Sequence, residues 1–188
     1  VKWLGESTIQ TLEPRMYYLR VPYRNQNSIW NFDSALADFD LAHIYGENIF
    51  TGRDRIGEAN QLTTGLTSRV LDEKTGEELF QATIAQRHYF SDQNVTLPNG
   101  TIDTNRKSDL LVSASGKVGK NVWIDTSAQY NFDNSQLMRA DGSVRWQPAP
   151  RKVLNVGYSR NEVTSTPTST VYASAQWPVK GVPNLYGV

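Results

Sequence analysis

The chain has 188 residues with 19 basic and 19 acidic side chains, so it carries no net field to draw nucleic acid or an acidic membrane surface. A mean hydropathy of −0.52 and no apolar run near ~18–20 residues exclude a transmembrane helix, though not a transmembrane strand, which shows lipid only its alternate residues. The absence of cysteine removes disulfides, thiolate zinc sites and cysteine nucleophiles, and two histidines, His43 and His88, leave little for a metal centre.

Along the chain the dominant period is two. Residues 1–4 read as a strand stub running into a turn at Gly5, and residues 184–188 as a strand just begun. A strand cut at either end leaves unpaired backbone, so the expectation is a piece of a longer sheet. Residues 12–23 form the first whole strand. Pro14 lacks a ladder donor, and Glu13 and Arg15 share one parity while Arg20 takes the other, which predicts a bulge near Pro14 that switches face, with Pro22 at the strand end. A long connection, 24–58, follows. In 62–70, Leu62, Leu66 and Val70 share a face with Thr64 and Ser68, opposite Gln61, Thr63, Gly65, Thr67 and Arg69. Further strands are read at 80–90, 109–118, 122–132, 136–147, 153–160 and 170–177. The clearest is 122–132: Val122, Ile124, Ala128, Tyr130 and Phe132 alternate with Asp125, Ser127, Gln129 and Asn131. The sum is eight whole strands and two stubs.

Every second connection is short: 72–76, 119–121, 148–150 and 179–182. The intervening ones, 24–58, 91–108 and 161–169, are longer, with 133–135 the exception. An antiparallel up-and-down outer-membrane barrel has this alternation of tight turns and longer outer loops. Trp3, Trp123, Trp146 and Trp177 sit beside short turns, and Tyr23, Phe90, Tyr130, Phe132 and Tyr158 near the opposite strand ends, as two interfacial girdles would. Trp123 departs from the pattern, since it falls on the otherwise polar face; a bulge would account for it. The polar parity carries Arg69, Arg87, Lys117, Asp125, Arg139, Asp141, Arg145 and Asn155. The other parity, with Val112, Ala114, Val156, Ala173 and Ala175, is nearly free of charge. A soluble sandwich also alternates, with its apolar face inward. Two readings therefore stand: the wall of a membrane barrel, and a small autonomous antiparallel barrel or sandwich that binds carbohydrate or another ligand through loop aromatics, Asn and Asp.

Catalytic and metal motifs are wanting. No second histidine lies at ligand spacing from His88, and neither an EF-hand, a phosphate loop nor a nucleophile elbow is present. Basic residues are spread singly, against nucleic-acid binding. The expectation is a protein that is not an enzyme and uses no cofactor or metal.

One stretch is specific beyond composition. Leu12-Glu13-Pro14-Arg15 leads to Val21-Pro22-Tyr23-Arg24-Asn25-Gln26 and Asn31-Phe32-Asp33; then come Phe50-Thr51-Gly52-Arg53-Asp54-Arg55-Ile56, Ala59-Asn60-Gln61-Leu62-Thr63 and Gly65-Leu66-Thr67-Ser68-Arg69. In order and spacing these blocks resemble the LPS-assembly (LptD, organic solvent tolerance) family of the Gram-negative outer membrane. Ile84-Ala85-Gln86 with Tyr89-Phe90, and Ala173-Ser174-Ala175-Gln176-Trp177-Pro178, resemble later strands of that barrel. The resemblance implies a transmembrane β-barrel of which residues 1–188 supply about ten strands, with the periplasmic jellyroll domain and both gate strands outside the chain. It implies an outer-membrane location, lipopolysaccharide as cargo released sideways through the barrel wall, an LptE-type plug lipoprotein in the lumen, and a periplasmic bridge through the jellyroll.

The resemblance also places 24–58 on the outer side as a lid. This segment is too apolar for a flexible linker, and Trp30 and Phe50 are expected to pack inward as its core. Arg53-Asp54-Arg55 closes the lid and leads into a strand whose polar parity includes Gln61 and Arg69. A lone Arg-Asp-Arg on a loop is usually solvated. Here, with Asn60, Gln61 and Arg69, it is the candidate for plug and lid contacts, Asp54 accepting from a wall arginine and Arg53 or Arg55 bonding loop carbonyls or the plug. Trp3, Trp146, Trp177, Tyr130 and Tyr158 are the candidate interfacial girdle.

Overall fold

The computed structural model describes residues 2–163, 166–178 and 186–187. Their regular structure is all β: β1 Lys2–Trp3, β2 Glu6–Val21, β3 Ala59–Asp72, β4 Glu78–Tyr89, β5 Leu110–Gly119, β6 Val122–Asn131, β7 Gln136–Ala149, β8 Lys152–Asn161, β9 Thr168–Pro178 and β10 Tyr186–Gly187. They form one ten-stranded sheet in which every neighbour in space is a neighbour in sequence, an up-and-down meander. The antiparallel pairs β1–β2 and β6 through β10 run in the expected sense. β2 begins earlier than residue 12 because a tight turn at Leu4 and Gly5, with φ of 51° and 90°, folds β1 back so that Lys2 pairs with Ser7 and Trp3 with Glu6. The expected turn at 179–182 lies outside the described residues.

Short turns join β3 to β4, β5 to β6 and β7 to β8; residues 22–58, 90–109 and 162–167 make the longer connections, and 132–135 the short exception. The chain packs as two compact units. One comprises Val1–Glu13, Thr67–Ile84 and Val112–Val188, the other Pro14–Leu66 and Ala85–Leu111.

In the first unit the register of β6 to β9 turns the two-residue period into rows across the sheet. Ile124 pairs with Val144, Val144 with Val156 and Val156 with Ala173, while Val122, Trp146, Leu154 and Ala175 form the next row on the same face. The opposite face carries Asp125, Ser143, Gly157 and Tyr172, then Trp123, Arg145, Asn155 and Ser174. Its polar groups bond one another: Ser159 Oγ donates to Asp141 (2.5 Å) and Asn155 Nδ2 to Ser174 Oγ (3.1 Å). Val144, Val156 and Val171 on the first face stay exposed, while Val122 and Ile124 are half-buried. Elsewhere in this unit Arg69 pairs with both Glu13 and Glu78, and its Nε also donates to Gln81 (3.0 Å).

Two local expectations are corrected. No bulge lies at Trp123: the β6–β7 register is regular from Val122 to Gln129 and shifts only between Gln129 and Tyr130. Trp123 keeps its place on the polar face because Arg145, directly opposite, lies 4.8 Å over its ring, a cation–π contact that suits an indole among charges. Nor does the chain change face at Pro14. β2 runs through it unbroken, with Leu12, Met16 and Tyr18 all exposed and Glu13 and Arg15 on the other parity. Ser7 turns its carbonyl to the N–H of Glu73, so by the two-residue period the nitrogen of Pro14 points to the opposite edge.

Candidate functional site

The second unit is built around residues 22–58, which fold onto the polar parity of the strands beside them. They have no regular element beyond a bridge between Leu36 and Phe50, flanked by Ala37 N–H to Ile49 O (2.9 Å) and Thr51 N–H to Ala35 O (2.8 Å). Ile44 is fully buried (0 % exposed) against Ala85 and Leu111, with Phe39, Leu41 and Tyr45 packed around them. Of the apolar residues that make 24–58 unlike a linker, Ile44 and Phe50 are buried, while Ile29, Trp30, Phe32 and Leu36 stay exposed.

Polar groups fix this packing. Arg87, 3 % exposed, donates to Ile44 O, and its Nε to Thr63 Oγ1 (3.4 Å), while Thr63 itself donates to Ile44 O (3.3 Å). The Phe39 ring lies 5.8 Å from the Arg87 guanidinium. Arg15 covers the Tyr45 ring at 3.9 Å, and the Tyr45 hydroxyl sits over Gly65, where any Cβ would overlap it. Burial pushes the Tyr45 phenol up, partly offset by Arg15.

A second set closes residues 22–58 on themselves. Asp54 accepts the backbone N–H of Phe32 (2.6 Å) and Asp33 (2.8 Å), and these bonds hold its carboxyl below the usual aspartate range. Arg55, 4 % exposed, donates from Nη1 to Gln26 O (2.6 Å) and from Nη2 to Ile29 O (3.2 Å). Gln26 reciprocates with the backbone of Ile56, giving its Nε2 to Ile56 O (2.7 Å) and accepting from Ile56 N (3.1 Å). Asn48 bonds Arg55 O and Gly57 N. The buried carboxylate of Glu58 accepts from Asn94 and Val95 N–H, tying loop 90–109 to the lid's end.

The expected site residues divide. Asp54 meets the backbone N–H groups of Phe32 and Asp33, within its own segment, where a wall arginine was expected. Arg55 bonds loop carbonyls. Arg53 leaves its side chain exposed and gives only its N–H, to Asp33 Oδ1 (3.1 Å). Asn60 accepts from the Tyr18 hydroxyl (2.9 Å), and Gln61 is buried on β3. Arg69 joins none of them; its partners are Glu13, Glu78 and Gln81. Phe50 is 5 % exposed, but Trp30, expected inward, is 79 % exposed: the chain turns at Gln26–Ile29 and swings the ring to the rim. Trp146, Trp177 and Tyr158 lie on the same face as the valine row, Trp177 beneath Lys152 Nζ at 5.3 Å. Tyr130 meets Phe132 edge-on at 5.1 Å, and Trp3 packs on Phe80 and donates to Lys117 O (2.9 Å). Arg87 and Gly65 stand on the polar parity of the strands, Glu58 just before β3 and Tyr45 within 22–58, and alternation alone gives none of them a role; each acquires one only from the packing of 22–58. Among the described residues no group of three His, Asp or Glu side chains could hold a metal ion.

Comparison with known proteins adds family to geometry. A family model described as LPS transport system D matches residues 1–181. The LPS-assembly protein LptD of Burkholderia lata is 45 % identical over 184 residues, covering 95 % of this chain and 23 % of that protein. That of Burkholderia cenocepacia gives the same values, and that of Azoarcus sp. strain BH72 is 43 % identical over 192 residues, 100 % of this chain and 23 % of the relative. The chain thus spans about a quarter of the length of these relatives.

Proposed function

The chain belongs to the LPS transport system D (LptD) family, and from that premise we propose that it forms part of the wall of an outer-membrane β-barrel that inserts lipopolysaccharide into the outer leaflet without enzymatic chemistry. The observation that carries this reading is the uncharged row Ile124–Val144–Val156–Ala173, half-buried at Ile124 and exposed at the other three, backed by a polar, self-bonded face. A soluble protein would cover such a row; a membrane strand shows it to hydrocarbon. The nine residues from Val122 to Tyr130 match the ~9–11 that a strand tilted by about 45° needs to cross the apolar core.

In this reading the polar face lines the lumen, and residues 22–58 are an outer lid folded into the mouth. The lid is held from the wall by Arg87, Thr63 and Arg15, and by its own Asp54 and Arg55 bonds. The exposed Arg53 is the lid's contact for an LptE-type plug lipoprotein, and a periplasmic jellyroll of the full-length protein delivers the cargo. Cargo leaves sideways through the barrel wall, and no residue of this chain is assigned to that exit.

Spin labels placed in the full-length protein in bilayers test the wall. Labels at positions 144, 156 and 173 should be reached by oxygen, and those at 125 and 143 by a water-soluble nickel complex. The reverse pattern, or none, would remove the barrel-wall reading. Depletion of the full-length protein from cells should keep newly made lipopolysaccharide from the surface; normal surface delivery would remove the transport reading.

A further inference from the structure

We propose that the short-turn end of β7–β9 holds the headgroup of an anionic phospholipid, with Arg151 and Lys152 as its phosphate contacts and Trp146 and Trp177 as the rings beside it. This rests on the barrel-wall reading and goes beyond it in naming a lipid and the rim that selects it.

Charge on the face of the valine row falls at its two ends. Among the described residues of β6–β9, Lys152 and Arg160 are the charged side chains of that face. Arg160 stands opposite Ala140 and is met within the chain: its guanidinium pairs with Glu162, Nε to Oε1 at 3.0 Å. Lys152, at the other end, lies 5.3 Å over the Trp177 ring and pairs with no carboxylate among the described residues. The row next to it is Trp146, Leu154 and Ala175. Asp125 and Asp141 cannot neutralise it, since both stand on the opposite face. A lysine at the edge of an apolar face, beside open indoles, suits the level at which lipid phosphates lie. Trp146 and Trp177 are each 41 % exposed.

The turn itself adds a second cation. Pro150 and Arg151 join the paired residues Ala149 and Lys152. Arg151 is exposed and has a φ of 66°. A proline followed by a residue at positive φ is the order of a type II turn, whose second central position suits glycine or asparagine. The backbone therefore gives no reason for an arginine there, and no carboxylate among the described residues pairs with it. The adjoining turn repeats the sign. Gln147 N–H donates to Asn121 O (2.9 Å), which sets residues 119–121, with exposed Lys120, beside this one. Turn 72–76, by contrast, mixes Asp72 and Glu73 with Lys74.

Cations without a carboxylate call for an anion, and open rings at the end of an apolar face call for one carried on acyl chains. A phosphatidylglycerol-type headgroup meets both. An ethanolamine headgroup would bring an ammonium to a place with no carboxylate to receive it. Short turns of an outer-membrane barrel face the periplasm, so the lipid belongs to the periplasmic leaflet.

The test titrates the full-length protein in dodecyl maltoside with phosphatidylglycerol, phosphatidylethanolamine and intact lipopolysaccharide, counting bound lipid by native mass spectrometry. Phosphatidylglycerol should bind saturably and more tightly than phosphatidylethanolamine. Arg151→Gly and Lys152→Gln should each weaken it about fivefold. Glycine suits the positive φ at 151, so that variant should keep the heat-modifiable gel migration of a folded barrel. Arg160→Gln removes the same charge from the other end and should leave binding unchanged. Equal affinity for the two phospholipids, wild-type affinity in Arg151→Gly and Lys152→Gln, or an equal loss in Arg160→Gln would overturn the proposal. A larger loss for lipopolysaccharide than for phosphatidylglycerol would assign the rim to another lipid and overturn it as well. Oxygen access of spin labels at 144, 156 and 173 reports the barrel wall separately: labels reached by oxygen without a phospholipid preference would remove the headgroup site alone.

Discussion

The hydroxyl of Tyr45 occupies the space over Gly65 that any side chain there would need. The two lie on different layers: Gly65 within β3, Tyr45 in the lid beside the buried Ile44. Glycine in a strand interior is usually a weakness; here its missing Cβ is what lets the lid approach the strand. With Arg15 at 3.9 Å over the same ring, Tyr45 is held from both sides.

Gly65→Ala should therefore loosen the lid. Overpacking of this kind costs about 1–3 kcal/mol. Tyr45→Phe should rescue it, because the ring carbon bearing the hydroxyl lies at an ordinary 3.4 Å from the added Cβ. The measurement is protease cleavage within residues 31–48 of the full-length protein: faster in Gly65→Ala, restored in the double variant. Equal protection in all three would mean that Tyr45 does not hold the lid.

Arg87 should matter more than its place in a strand suggests. Arg87→Met keeps the stem but removes the donor that meets Ile44 O, leaving a buried carbonyl with Thr63 alone. The loss should be about 1–3 kcal/mol of lid closure, seen as faster hydrogen exchange at residues 43–45. Arg106→Met is the control, since Arg106 makes an exposed pair with Asp92 on the neighbouring loop. Equal exchange in the two variants would remove Arg87 from the anchor.

Asp54 gives the lid a pH dependence of known sign. Its folded-state carboxyl is held below the unfolded aspartate value by the N–H groups of Asp33 and Phe32. The stabilisation is thus fully present above the ordinary aspartate value, about 3.9, and is lost as the pH falls through the lowered one. Protection of the Phe32 and Asp33 amides, corrected for intrinsic exchange, should drop at that acid end. Asp54→Asn should be less protected at neutral pH and flat across the same range; a wild-type profile that is also flat would show that Asp54 does not clasp the turn.

Such relationships mark where the sequence stops being legible. The rows from Ile124 to Ala173 could be read in advance because alternation is local and the pleat passes it directly to the faces. Trp123 broke the alternation for a reason in the next strand, where Arg145 lies over its ring, and β2 passes through Pro14 with its parity unchanged. The apolar content of 24–58 foretold burial of the segment, and Phe50 is buried while Trp30 is not, since hydrophobicity says that a segment needs a core without saying which ring the turn at 26–29 sends to the rim. Arg87 and Gly65 acquired roles only from residues far away in the chain.

The faces of the sheet give the sharpest energetic contrast. Val144 sits in the middle of the uncharged row, paired with Ile124 and Val156, while its neighbour Ser143 faces the other way and pairs with Asp125 and Gly157. If the row meets hydrocarbon, Val144→Arg in the full-length protein should lower folding stability in bilayers by about 2–4 kcal/mol, as for an arginine near the midplane of a barrel. Ser143→Arg would reach water and Asp125 and should change stability by less than about 1 kcal/mol. Reversible unfolding from vesicles measures both. In detergent-free buffer a soluble sheet would give a third pattern, with Val144→Arg tolerated at an exposed position. Equal tolerance of the two arginines in bilayers would therefore take the valine row out of the membrane, and with it the assignment of the polar face to a lumen.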